Sequence, residues 1–108
     1  MTTRSQLDSS EFHVFYKTYI DLLPKNLELL NGFDNGLQLF ESLFNSITQE
    51  KLKYKYNIGK WTIAELLQHI IDTERIFMYR CFRIARKDLT PLAGFDQNIY
   101  LEPSGASQ

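Results

Sequence analysis

The sequence predicts an all-α fold, and two observations carry that prediction. Two long stretches place apolar residues at steps of three and four, the spacing of one helix face. One of them opens with a complete helix start signal.

That stretch runs from Gly59 to Lys87. Thr62 is a good N-cap, because its hydroxyl accepts from a free first-turn N–H. Glu65, three residues on, reaches back to the cap's own N–H, making a capping box. Trp61, just before the cap, packs down on the first turn near Leu66. Gly59 permits a sharp bend into the helix. Ile63, Leu67, Ile70, Phe77, Cys81 and Ile84 then form one stripe, interrupted by Glu74. The helix is about 37 Å long at the usual rise per residue. Acidic residues come early (Glu65, Asp72, Glu74) and basic ones late (Arg80, Arg83, Arg86, Lys87), which suits the helix dipole. By helical angle Leu66, His69, Thr73 and Arg80 share a flank of the stripe, so His69 stands where buried surface meets an edge.

The remaining elements follow in order. Residues 1 to about 10 are polar and expected to fray. In residues 11–23, Phe12, Phe15, Tyr16 and Tyr19 line one face, as a short helical turn or an extended arm, and Pro24 closes the segment. His13 there reads as a surface or partly packed histidine. Residues 25–47 carry the second stripe: Leu27, Leu30, Phe33, Leu37, Phe40, Phe44 and Ile47. Gly32 and Gly36 each cost about 1 kcal/mol against alanine in a helix, but the stripe keeps phase across them. One helix with a weak middle is expected, against two helices split near Asn35. The small residues also suit close approach of a neighbouring helix. Residues 48–52 suggest one turn capped by Thr48. Tyr54 and Tyr56 then alternate with lysines in an extended pattern, their rings expected to cover the end of the helices. Residues 88–96 form a loop with Pro91 and Gly94 at turn spacing, anchored by burial of Leu92, Phe95 and Tyr100. The last seven residues are small and polar and read as a tail or linker.

The totals bound the rest. The 108 residues make one domain at most, and 44% hydrophobic and 14% aromatic content suffices for a core. A net charge of −1 gives no electrostatic case for nucleic acid or an anionic membrane. The N-terminus has no signal-peptide core, and no apolar run approaches the ~18 residues of a membrane span. The single cysteine, Cys81, lies on the apolar stripe and reads as a small buried residue in a reducing compartment. A cytoplasmic protein is expected.

Residues 59–77, with Trp61-Thr62-x-x-Glu65-x-x-x-His69 at their centre, Arg83-Ile84-Ala85-Arg86 and residues 90–96, together resemble the DinB/YfiT-like superfamily. Residues 19–24 also fit. The resemblance implies a four-helix bundle with a divalent metal, zinc, nickel or similar, near one end of its core. It implies three histidine ligands, one at the position of His69 and two spaced four apart on the last helix. It also implies, for some members, transfer chemistry with low-molecular-weight thiols. The chain departs from the pattern in stopping after the residue 90–96 loop, without the last helix and its paired histidines. It therefore reads as a single domain over residues 1–108, an incomplete DinB-like bundle truncated at its C-terminus.

A zinc-type site needs about three protein ligands and an open position, so His69 is the one metal-ligand candidate and tight occupancy is not expected. Asp72 lies on the outer side by angle. Glu74 lies on the stripe, where a buried carboxylate needs a partner, and is expected to bond to a neighbouring helix or the tyrosine-rich arm. The late arginines read as a solvated, dipole-complementing face. No general base or nucleophile is identifiable. The expected function is a divalent-metal-dependent enzyme with a small-molecule thiol substrate. The alternative is a non-catalytic helical interaction module. A homodimer is expected under either reading, because a missing bundle helix leaves an apolar groove.

Overall fold

A computed structural model describes residues 2–108 of the chain. All regular structure in it is helical, as the periodicity predicts. Four α-helices, α1 (Lys17–Asp21), α2 (Leu29–Asn45), α3 (Ile63–Ala85) and α4 (Leu101–Ser104), are joined by short 3-10 turns, and the described residues include no strand. No helix is long and apolar enough to cross a membrane. The chain divides into two compact units at Ser46 and Ile47.

In the first unit the N-terminal arm is ordered from Thr2, where fraying was expected. Gln6 Oε1 accepts from the Thr3 N–H (2.8 Å) and Glu11 Oε2 from the Asp8 N–H (2.7 Å), so two short turns are tied at their starts. The arm lies along residues 21–29. Ser5 N–H donates to the Lys25 carbonyl and Leu29 N–H to the Thr2 carbonyl, both at 2.9 Å. Arg4 donates to the Leu23 carbonyl and pairs with Asp21. Lys17 and then Arg4 hold the Asp21 carboxyl below its usual range. His13 is exposed and accepts the Phe15 N–H on Nδ1 at 3.2 Å.

The α2 helix is continuous through Gly32 and Gly36. A Cβ on Gly32 would stand 3.3 Å from Leu27 Cδ2. The glycine therefore makes room for a leucine of its own segment, where a neighbouring helix was expected.

The second unit is built on α3. Its start is the predicted one: Thr62 Oγ1 accepts the Glu65 N–H (3.1 Å) and Glu65 Oε2 accepts the Thr62 N–H (2.6 Å). Thr62 is the one buried polar side chain among the described residues, 5% exposed. Gly59 takes a positive φ of 74°, the bend the sequence calls for. At the other end, Lys87 N–H donates to the Ile84 carbonyl (2.9 Å) and Asp88 N–H to the Arg83 carbonyl (3.1 Å). That is a Schellman closure, with Lys87 at φ 56° where glycine is the usual occupant. Thr48 does start the turn Gln49–Lys53, but through its carbonyl, not its hydroxyl.

Three expectations about packing fail, for one reason. Among the described residues no hydrophobic side chain is fully buried. On the α3 stripe Phe77 is 51% and Ile84 67% exposed, and Cys81 and Glu74 are exposed as well. Leu30, Phe33, Leu37 and Phe44 of α2 are also exposed. An amphipathic helix buries its stripe only against a second layer, and each unit contains a single long helix. Glu74, lying in open stripe, needs no buried partner.

The segment after α3 packs on a different face of it. Arg83 donates to Asp88, to the Tyr79 hydroxyl (3.0 Å) and to the Thr90 carbonyl (2.7 Å). Arg80 donates to the Ala93 carbonyl (2.9 Å) and lies over the Phe77 and Phe95 rings. Phe95 stacks on Tyr100 at 5.8 Å. Arg80 and Arg83 are thus clamps for residues 88–95, where a solvated face was expected, whereas Arg86 is exposed beside the Phe82 ring as that expectation had it. Leu92, Phe95 and Tyr100 anchor the loop at its edge and stay partly exposed. The expected tail instead turns into α4, closed by Gly105 at φ 68°, and Ser107 donates to Glu65.

Two outcomes test this account. Thr62→Ala removes the cap acceptor from α3 and lowers stability by about 1 kcal/mol, read by thermal circular dichroism. The Thr90 N–H, followed by the Arg83 guanidinium, lowers the Asp88 carboxyl from 3.8 to about 2. A depressed carboxyl stabilises the fold above its unfolded pKa, and that contribution is lost as pH falls through the folded value. The Arg83 Nε–H resonance in NMR spectra therefore moves as pH falls below about 3, with a midpoint near 2. The Asp88→Asn variant shows no such transition.

Candidate functional site

The candidate site is the first half of α3 with the segment leading into it. The capping box starts the helix at Ile63, and His69 follows two turns on. The His69 side chain is half-buried, at the edge position that helical angle predicts. Its Nδ1 lies 3.4 Å from Thr73 Oγ1, one turn further along the same flank. Its ring meets Trp61 edge-on, with centroids 5.1 Å apart and planes at 63°. Trp61 precedes the helix, so helical angle gives it no place, and this contact is one that sequence spacing does not reveal.

This arrangement orients the imidazole. Thr73 holds one nitrogen, at a long distance whose polarity depends on the tautomer, and Trp61 limits ring rotation. No described residue hydrogen-bonds Nε2. A histidine held at one ring nitrogen with the other open is the form in which imidazole ligates a metal.

The other candidates do not converge on it. Asp72 Oδ1 accepts from the Gln68 amide (3.0 Å) and lies 3.7 Å from Arg75, an ion pair along the helix. Glu65 is committed to the cap and to Ser107, and the Ser107 hydroxyl is the main cause holding its carboxyl below the usual range. Cys81 is exposed, with no basic partner among its hydrogen bonds. His13 belongs to the first unit. Among the described residues no three His, Cys, Asp or Glu side chains come together to hold a metal. One imidazole falls short of the three-ligand set, so the residues present do not by themselves fit a divalent ion.

The same end of α3 carries a cavity of about 540 Å³, whose walls include Tyr54, Tyr56, Trp61, Leu66, Gln97 and Asn98. Tyr54 and Tyr56, expected to cover apolar surface, are 60% and 71% exposed and line this cavity instead. The Ile63 N–H donates to the Tyr54 carbonyl at 3.2 Å, fixing the segment to the helix start.

Comparison with known proteins bears on the same stretch. The chain is similar to a protein of Bacillus pumilus (strain SAFR-032) described as "Putative metal-dependent hydrolase", with 30% identity over 66 residues. The match covers 60% of this chain and 37% of that relative, so the chain spans well under half of the relative's length. No solved structure matches the chain. The model of the DinB superfamily matches residues 33–106, which include most of α2, the capping box, His69 and the arginine-clamped loop. With more than half of its length matched, the chain belongs to the DinB superfamily.

Proposed function

We propose that this chain supplies one ligand, His69, to a divalent-metal centre of a DinB-type enzyme. The observation that carries the reading is the oriented imidazole: half-buried, held at Nδ1 by Thr73 and flanked by Trp61, with Nε2 unengaged. The metal dependence named for the Bacillus relative supports it. None of the described carboxylates or thiols joins His69, so His69 is the one ligand the described residues supply. Hydrolysis, named for that relative, and thiol transfer, implied by the resemblance, share one chemical form. Each moves a group to a small nucleophile, water or a thiol. No residue beside His69 is placed as a nucleophile or general base, so the chain's own contribution is to bind and orient.

Nickel titration tests the ligand. Trp61, the one tryptophan, lies within contact of His69. Ni²⁺ at Nε2 therefore quenches its fluorescence, and His69→Ala abolishes the quench. Superimposable titration curves for the two proteins would count against any metal site in this chain.

A second reading, a self-associating helical module, is supported by the open stripes on α2 and α3. Exposed apolar side chains at this density favour association into a homodimer. Light scattering across a concentration series is expected to show a dimer, which Phe77→Glu shifts to monomer. A monomer at every concentration would sink the reading.

A further inference from the structure

We propose that the cavity at the start of α3 binds a small planar aromatic anion. Its volume of about 540 Å³ lies within the range of small-molecule sites. Three aromatic side chains, Tyr54, Tyr56 and Trp61, contribute walls, and two of them keep more than half their surface exposed. Such faces accept a flat ring by stacking.

Aromatic walls also attract cations, so the local charge decides between the two. Lys60 lines the cavity, with its ammonium 5.8 Å from the Tyr56 ring centroid. Lys51, Lys53 and Lys55 belong to the same short segment. A second cation would meet an ammonium already seated on the ring, whereas an anion would gain one. Two carboxylates adjoining the lining residues in sequence, Glu65 and Asp96, are engaged in helix starts. Glu65 accepts from Thr62 and Ser107, and Asp96 accepts from the Asn98 backbone (2.9 Å) and side-chain amide (3.1 Å). Lys60 forms an ion pair with neither of them, so its ammonium is not committed to a carboxylate of a described residue. Asn98 retains its Oδ1 as an acceptor, and the Gln97 side chain has no hydrogen bond to a described residue, so two amides at the rim can read the edge of a ring. The chemistry is that of a nucleotide-like ligand: an aromatic ring on the tyrosines and an anionic group at Lys60. It is independent of any metal at His69, although Trp61 touches both.

Trp61 reports occupancy directly. With a chelator present to exclude metal, adenosine monophosphate is titrated with excitation selective for tryptophan. The expected result is a saturable change in emission. Adenosine, which lacks the anion, binds more weakly, and inorganic phosphate, which lacks the ring, produces no change. Tyr56→Ala and Lys60→Gln each raise Kd about tenfold. Lys60 is exposed and its side chain makes no hydrogen bond to a described residue, so that variant decides the question even where the tyrosine variant unfolds. A non-saturating response, or an unchanged Kd in Lys60→Gln, overturns the proposal. So does binding that requires a single-stranded oligonucleotide and ignores the mononucleotide.

Discussion

The second unit depends on the reciprocal pair of hydrogen bonds between Thr62 and Glu65. Those bonds decide which residue begins α3. Shifting the start by one residue would turn every later side chain by about 100°. His69 would then leave Trp61, which precedes the helix. Among the described residues Thr62 is the buried one, and Glu65 is half-buried beside it. Ser107 adds a third bond to Glu65, so the last described turn is tied to the first turn of the helix.

From that start, α3 presents two faces with different chemistry. One carries the half-buried Ile76, Arg80 and Arg83, and holds residues 88–95 by hydrogen bonds to Asp88 and to two carbonyls and by a cation–ring contact. The other carries the open stripe of Ile70, Phe77, Cys81 and Ile84. Loop carbonyls need donors, and guanidinium groups supply several in a fixed fork. An apolar stripe offers a polar loop nothing comparable. The loop therefore packs on the arginines and leaves the stripe unpartnered, which reverses the assignment that hydrophobicity alone suggests.

Site and scaffold meet at Trp61. It stands between the extended segment and the helix, orients His69 on one side and lines the aromatic cavity on the other. The family membership makes His69 the residue of interest, and the contacts of Thr73 and Trp61 supply a physical reason for its orientation. The two carboxylates within four residues of it are already engaged: Asp72 with Gln68 and Arg75, and Glu65 in the cap.

Local features were legible in the sequence by themselves, because the interactions behind them span only a few residues. The capping box, the bend at Gly59, the continuity of α2 through two glycines and the edge position of His69 all follow from spacing and local hydrogen bonding. The ordered N-terminal arm was legible too, since Thr3 to Gln6 and Asp8 to Glu11 have capping-box spacing, but the polar composition pointed to fraying. What covers a stripe is a different kind of question. Period identifies an apolar face, whereas burial requires a second surface that no pattern within one helix encodes. Only tertiary structure showed that Cys81 and Glu74 are open, that the arginines clasp a loop, and that Trp61 rests against His69. Each of those contacts joins groups whose relative position is set by chain folding, not by helical register.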